Sequence, residues 1–172
     1  MARVCAGDEA ALGVLMERWE VPVKSLIAQI VLNISEAEEL ASEAFVRVWL
    51  RRETFRTGAK FRPWLFAIAI NLSRNRLRWW RRRPEVKLEE WIETGSEYAN
   101  GASQSEMLER ASAVRDAVAA LPTQLREAIV LFAYEELSHV EIAALVGATP
   151  KAVERRISHA RERLRSTLEH TS

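Results

Sequence analysis

The sequence predicts an all-α protein of two small helical domains joined by a flexible linker, the C-terminal one containing a helix-turn-helix. Three observations lead there. Alanine, leucine, glutamate and arginine dominate, while glycine and proline number only 6 and 5 among 172 residues, and those side chains lose little freedom on a helix. Apolar residues recur three and four apart along most of the chain, which is the helical period. Between Pro84 and Gln104 the character changes to glycine, serine, asparagine and acid, the composition of a linker. The expected division is therefore a helical domain over 1–84, an acidic linker over 85–104 and a helix-turn-helix domain over 105–172.

The elements follow in order. Residues from about Gly7 to Leu32 read as helix, with Leu12, Leu15, Met16 and Trp19 on one side and Pro22 as an expected break. Ser35, followed by Glu38 at capping-box spacing, is expected to start a second helix that runs to about Arg52. On its wheel Ala37, Leu40, Ala41, Ala44, Phe45 and Val48 occupy one half; Glu36, Glu39 and Glu43 fall on the other, joined by Val46 and Leu50. Thr57-Gly58 marks a loop. Pro63 suits the first turn of a third helix, which carries Trp64, Leu65, Phe66, Ile68 and Leu72 into an arginine block and ends at Pro84. Within the linker, KLEEWIE has the makings of a short helical turn. Leu121-Pro122 separates the first helix of the second domain from another, Thr123 to about Glu135.

Several function classes are disfavoured. A composition of 48% hydrophobic and 28% charged residues is that of a soluble globular chain. No stretch stays apolar and uncharged for the roughly 18 residues of a membrane span, and the first residues lack a secretory pattern. The single cysteine, Cys5, has no partner for a disulfide or a Cys-x-x-Cys site, which points to a reducing cytoplasm. His139, His159 and His170 are not at metal-ligand spacing. With no glycine-rich phosphate loop and no nucleophile beside a base, neither catalysis nor a cofactor is expected.

Charge is the stronger signal. The net charge of +1 conceals segregation into blocks. Arg74, Arg76, Arg78, Arg81, Arg82 and Arg83 stand together with no acid among them. Seven glutamates between Glu85 and Glu109 follow, against Lys87 alone. Lys151, Arg155, Arg156, Arg161, Arg163 and Arg165 then face only Glu154 and Glu162.

The second basic block lies in a helix-turn-helix grammar. Ser138 caps a helix with Glu141 as its box partner. Ile142, Ala143 and Leu145 are expected to face inward. Gly147 supplies a left-handed turn, Thr149 caps the next helix and Pro150 fills its first position. Val153, Ile157, Ala160 and Leu164 form the stripe to be buried. Lys151, Arg155, Ser158 and Glu162 lie opposite, flanked by Glu154 and His159. Such a helix reads base edges in the major groove from its N-terminal half and meets phosphates with its arginines. Arg155 or Arg156 suits a guanine, and Glu154, which would repel phosphate, suits a cytosine amino group. The alternative is a solvated basic face on an ordinary helical hairpin.

In the first block Asn71, Arg74, Arg78 and Arg81 share one helix face, bordered by Asn75 and Arg82. Asparagine reads base edges, arginine holds phosphate, and Trp79 or Trp80 suits stacking on an unpaired base; packing in the core is the other place for those tryptophans. The uncompensated arginines favour nucleic acid. A membrane surface is the other partner such a helix could meet, and the short apolar face speaks against it.

With these units placed, the chain resembles a bacterial extracytoplasmic-function (ECF) sigma factor over nearly its whole length. EAEELASEAFVRVW, residues 36–49, resembles that family's core-polymerase-binding helix. FRPWLFAIAINLSRNRLR, residues 61–78, resembles its minus-ten reading stretch. LPTQLREAIVLFAYEELS, residues 121–138, with the helix-turn-helix behind it, resembles its minus-thirty-five reader. The resemblance implies that Glu36, Glu39, Leu40, Ser42, Glu43, Val46 and Arg47 dock on the largest subunit of core RNA polymerase. It implies that Asn71 captures a flipped non-template base, with Arg74, Asn75, Arg78, Arg81 and Arg82 holding the melted strand. Lys151, Ala152, Glu154, Arg155, Arg156, Ser158 and His159 would read duplex promoter DNA. An anti-sigma partner is implied as well. There are departures: Ser42 stands for a usual Gln, Ile70 for a frequent Arg and Asn75 for a frequent Asp. In the last helix Ala152, Glu154 and Arg155 replace a common Thr, a common basic residue and a common Ser, which implies an unusual minus-thirty-five element. Few residues precede Gly7-Asp8, which in the family lies inside or after a first short helix, so a truncated start is expected. The sequence leaves two other functions open: a polymerase-independent helix-turn-helix regulator of duplex DNA, and a helical interaction module.

Overall fold

The computed structural model describes residues 1–83 and 105–169, with side chains from residue 112 onward in the second stretch. The chain divides into two compact units between Ile92 and Glu93. The predicted linker, 85–104, and its KLEEWIE piece lie outside the described residues. Every regular element among the described residues is helical, and none of those helices is long and apolar enough to cross a membrane.

The first unit holds α1 (Ala2–Cys5), α2 (Glu9–Val31), α3 (Ile34–Leu50), a 3-10 turn at Arg52–Thr54 and α4 (Phe61–Arg82). Asp8 caps α2 by accepting the Ala11 N–H at 2.9 Å. That bond, with the Arg3 guanidinium beside it, holds the Asp8 carboxyl below its ordinary range. The expected break at Pro22 is absent: α2 runs straight through it. Proline forfeits one backbone hydrogen bond and crowds the preceding turn, but Val23, Leu26, Ile27 and Ile30 immediately beyond it are all 0% exposed. Burying four such side chains contributes roughly 1.5–3 kcal/mol each, enough to outweigh the proline. Leu12, Leu15 and Trp19 are only half-buried and Met16 is exposed, so the deep core comes from past Pro22.

The start of α3 also differs from expectation. Leu32 turns the chain in a left-handed conformation, φ 62°. Asn33, not Ser35, is the cap, its Oδ1 accepting the Glu36 N–H at 2.9 Å. Ser35 lies exposed inside the first turn of α3. The helix ends at Leu50 rather than near Arg52. Pro63 sits in the first turn of α4, as predicted. α2, α3 and α4 pack on one another, and at one end Trp19, Phe55, Phe61, Trp64 and Phe66 make edge-on and tilted ring contacts at centroid separations of 5.2–6.4 Å.

The second unit holds α5 (Ser105–Ala119), α6 (Thr123–Ala133), α7 (His139–Val146) and α8 (Pro150–Glu169). α8 packs on the other three. The Ser138–Glu141 capping box is formed, and the Thr149 hydroxyl accepts the Ala152 N–H at 3.2 Å to open α8. On α7 the inward residues are Ile142, Ala143 and Val146; Leu145, expected to face inward, is half-buried. Val146, four residues beyond Ile142, follows the helical repeat more closely. Val153, Ile157 and Ala160 are buried as predicted, and Leu164 is half-buried. Arg126 is buried in α6, donating to the Ala119 carbonyl at 2.7 Å, and its burial pushes the guanidinium pKa down.

Gly147 joins α7 to α8 at φ +65°, and a Cβ there would meet nothing within 4 Å. The demand for glycine is thus a backbone demand alone. Gly147→Ala is expected to destabilise the second unit by about 1–2 kcal/mol through left-handed strain, read as a lower urea midpoint with unchanged slope.

Candidate nucleic-acid and protein interfaces

On α8 the buried stripe Val153, Ile157 and Ala160 fixes which side faces out. Lys151, Glu154, Arg155, Ser158 and His159 are exposed, and Ala152 and Arg156 are half-buried. Arg161, further along, lays its guanidinium over the Phe132 ring at 4.9 Å, and Phe132 also stacks with His139 at 5.5 Å. The arrangement presents a rigid helix whose first turns carry lysine, glutamate, arginine and serine, all able to hydrogen-bond base edges.

On α4 Asn71, Asn75, Arg78, Arg81 and Arg82 are exposed and Arg74 is half-buried. Arg78 donates to Asn75 Oδ1 at 2.7 Å and to the Arg74 carbonyl at 3.3 Å. The amide of Asn75 thereby holds a hydrogen-bonded arginine without adding a negative charge beside it. Ile70 is 0% exposed and belongs to the core. Of the two tryptophans, Trp80 is buried at 6% exposure, while Trp79 is 40% exposed with the Arg83 guanidinium 5.2 Å from its ring centre.

The arginine block is not wholly uncompensated. Arg76 pairs with Glu36, and its Nη2 lies 3.7 Å from Glu39. Glu36, expected on the outer half of its helix, is only 6% exposed. Both positions continue an apolar stripe, Glu36 ahead of Leu40, Ala44 and Val48, and Arg76 between Leu72 and Trp80. A charge on a buried stripe is the sequence sign of an interhelical ion pair, and reading i, i+4 steps instead of wheel halves would have found it.

Leu40, also among the expected docking residues, is 2% exposed and serves the core. The outward face of α3 instead carries Glu39, Ser42, Val46 and Leu50, with Val46 at 56% and Leu50 at 70% exposure. Glu43 and Arg47 form an i, i+4 ion pair along its edge. Between α3 and α4 lies a groove of about 430 Å³ lined by Leu40, Glu43, Arg47, Leu72, Asn75, Arg76 and Trp79. It brings together two residue sets that the sequence placed in separate sites: Leu40, Glu43 and Arg47 from the docking helix, and Asn75 from the strand-reading helix.

Comparison with known proteins matches these units one by one. The family description "Sigma-70 region 2" matches residues 15–83, and "Sigma-70, region 4" matches residues 111–164. The ECF RNA polymerase sigma-E factor of Escherichia coli is 33% identical over 93% of this chain and 87% of its own length. The chain belongs to the ECF sigma factors. SigW of Bacillus subtilis, another ECF sigma factor, is 29% identical over 96% of this chain and 93% of its own. The solved structure of CnrH in complex with the cytosolic domain of CnrY has a TM-score of 0.72 and 27% identity, covering 99% of this chain and 96% of that one. The sigma factor RpoE of Bartonella quintana, solved with the anti-sigma factor NepR, shares the fold at TM-score 0.69 and 22% identity, covering 91% of this chain and 96% of that one. In this ECF sigma factor region 2 spans most of α2 with α3 and α4, and region 4 spans part of α5, then α6, α7 and most of α8. The family is one of transcription initiation factors, not of enzymes.

Proposed function

We propose that this sigma factor docks on core RNA polymerase through the outward face of α3, captures melted promoter DNA on α4 and reads duplex promoter DNA with α8. The observation that carries the reading is the division of charge on α4. The carboxylates of α3 engage Arg76, and no described carboxylate pairs with Arg78, Arg81 or Arg82. Those three arginines are left to phosphates.

Asn71, whose exposed amide makes no hydrogen bond to a described residue, takes the flipped non-template base. Arg74, Asn75 and Arg78 steady the strand beside it, and Trp79 offers a stacking face. Glu39, Ser42, Glu43, Val46, Arg47 and Leu50 make the polymerase contact, the apolar pair Val46 and Leu50 rimmed by polar and charged groups, while Glu36 and Leu40 shape it from beneath. Lys151, Ala152, Glu154, Arg155, Arg156, Ser158 and His159 read the minus-thirty-five element. The protein acts stoichiometrically, without catalysis of its own, in the bacterial cytoplasm, and an anti-sigma partner covers one or both basic faces until a signal releases them.

A pull-down tests the docking step. The tagged full chain is expected to retain core polymerase at modest salt, and Val46→Glu with Leu50→Glu to lose at least tenfold of that retention, since charge would enter the apolar centre of the contact. Absence of any complex with the unaltered chain defeats the reading.

A further inference from the structure

In the first two turns of α8, the part that reaches base edges, Glu154 is the one acidic residue, and a general affinity for DNA does not explain it. Its carboxylate is exposed and forms no hydrogen bond or ion pair with another described residue, although Lys151 stands three residues before it and Ser158 four after. A carboxylate brought against a polyanion weakens binding wherever it meets phosphate. Its place in the second turn of the helix, next to Arg155 and ahead of Ser158, puts it where side chains reach base edges.

The major groove offers a carboxylate two hydrogen-bond donors, the N4 amino group of cytosine and the N6 amino group of adenine. Adenine sets its donor beside the N7 acceptor, which repels a carboxylate; cytosine offers a donor with no N7 next to it. We infer that Glu154 is a specificity-determining residue that selects a cytosine in the minus-thirty-five element by accepting from its amino group. The inference rests on the reading of α8 as the duplex reader. The repulsion that the carboxylate brings to every other sequence then contributes to discrimination.

The test uses holoenzyme reconstituted from the full chain and core polymerase, transcribing a library randomised across the upstream promoter element. The unaltered protein is expected to favour cytosine at one position of one strand by about tenfold. Glu154→Ala removes that preference and leaves the other positions as they were. Glu154→Gln moves the preference at the same position toward adenine, because a carboxamide both donates to N7 and accepts from N6. Glu154 is exposed, so all three proteins are expected to show the same helical circular dichroism and the same core-polymerase binding. Identical preferences in the three proteins overturn the inference. So does a uniform gain in transcription for Glu154→Ala at every sequence, which would make Glu154 a phosphate repellent. Transcription by the unaltered holoenzyme with no upstream preference at all overturns the duplex-reading role of α8 and the inference with it, whereas a preference that is present but indifferent to Glu154 overturns the inference alone.

Discussion

Arg76→Ala is expected to lower the stability of the first unit by about 3 kcal/mol at neutral pH, measured by urea denaturation of the full chain. Glu36 is 6% exposed and faces Arg76 from the neighbouring helix. Removing the arginine takes the facing guanidinium from a carboxylate in a site that water scarcely enters, so the cost is set by that burial more than by the lost attraction. The reciprocal change, Glu36→Ala, should cost less, because Arg76 retains 26% side-chain exposure and Glu39 lies within 3.7 Å. The double replacement Glu36→Leu with Arg76→Met should recover most of the loss, since apolar side chains of similar volume satisfy the same space without desolvating two ions. If the single and double variants lose the same amount, the pair is not what holds α3 to α4.

Reversing charge at Arg155 and Arg156 is expected to cut transcription from a promoter dependent on its upstream element by about a hundredfold or more. Each lost base or phosphate contact is worth roughly 1–3 kcal/mol in such interfaces, and the new carboxylates add repulsion. Arg155 is exposed and Arg156 half-buried, so Arg155→Glu alone should account for much of the effect without disturbing Val153 or Ile157 beneath. Binding to core polymerase in the pull-down should be unchanged, which separates a promoter defect from a folding or docking defect. Wild-type promoter output from the double variant would remove α8 from DNA recognition.

The two units differ in how much of them was legible in the sequence. In the second, the signals are local. Ser138 and Glu141 are three residues apart, Gly147 and Thr149 two, and each fixes its own turn through hydrogen bonds within a few residues. The differences there are small: Val146 is buried in place of Leu145, and Leu164 is half-buried. In the first unit the misses are tertiary. Pro22 breaks an isolated helix, but the core beyond it holds α2 together. Asn33 with Glu36 and Ser35 with Glu38 are both at capping-box spacing, and no local rule prefers one. The register that buries Leu40, Ala44 and Val48 also carries Glu36 inward to Arg76, 40 residues away in sequence. Of the candidate contact residues, Asn71, Asn75, Arg78, Arg81, Arg82, Glu39, Ser42 and Val46 lie at the surface.

The groove between α3 and α4 has a consequence for genetics. Glu43 and Arg47 form one wall and Asn75 and Trp79 the other, so a side chain altered on either wall changes the surroundings of the opposite one. Substitutions selected for weak polymerase binding and substitutions selected for poor strand opening should therefore fall on overlapping positions. Pairs drawn from opposite walls should be non-additive, with suppressors of a defect on one helix arising on the other.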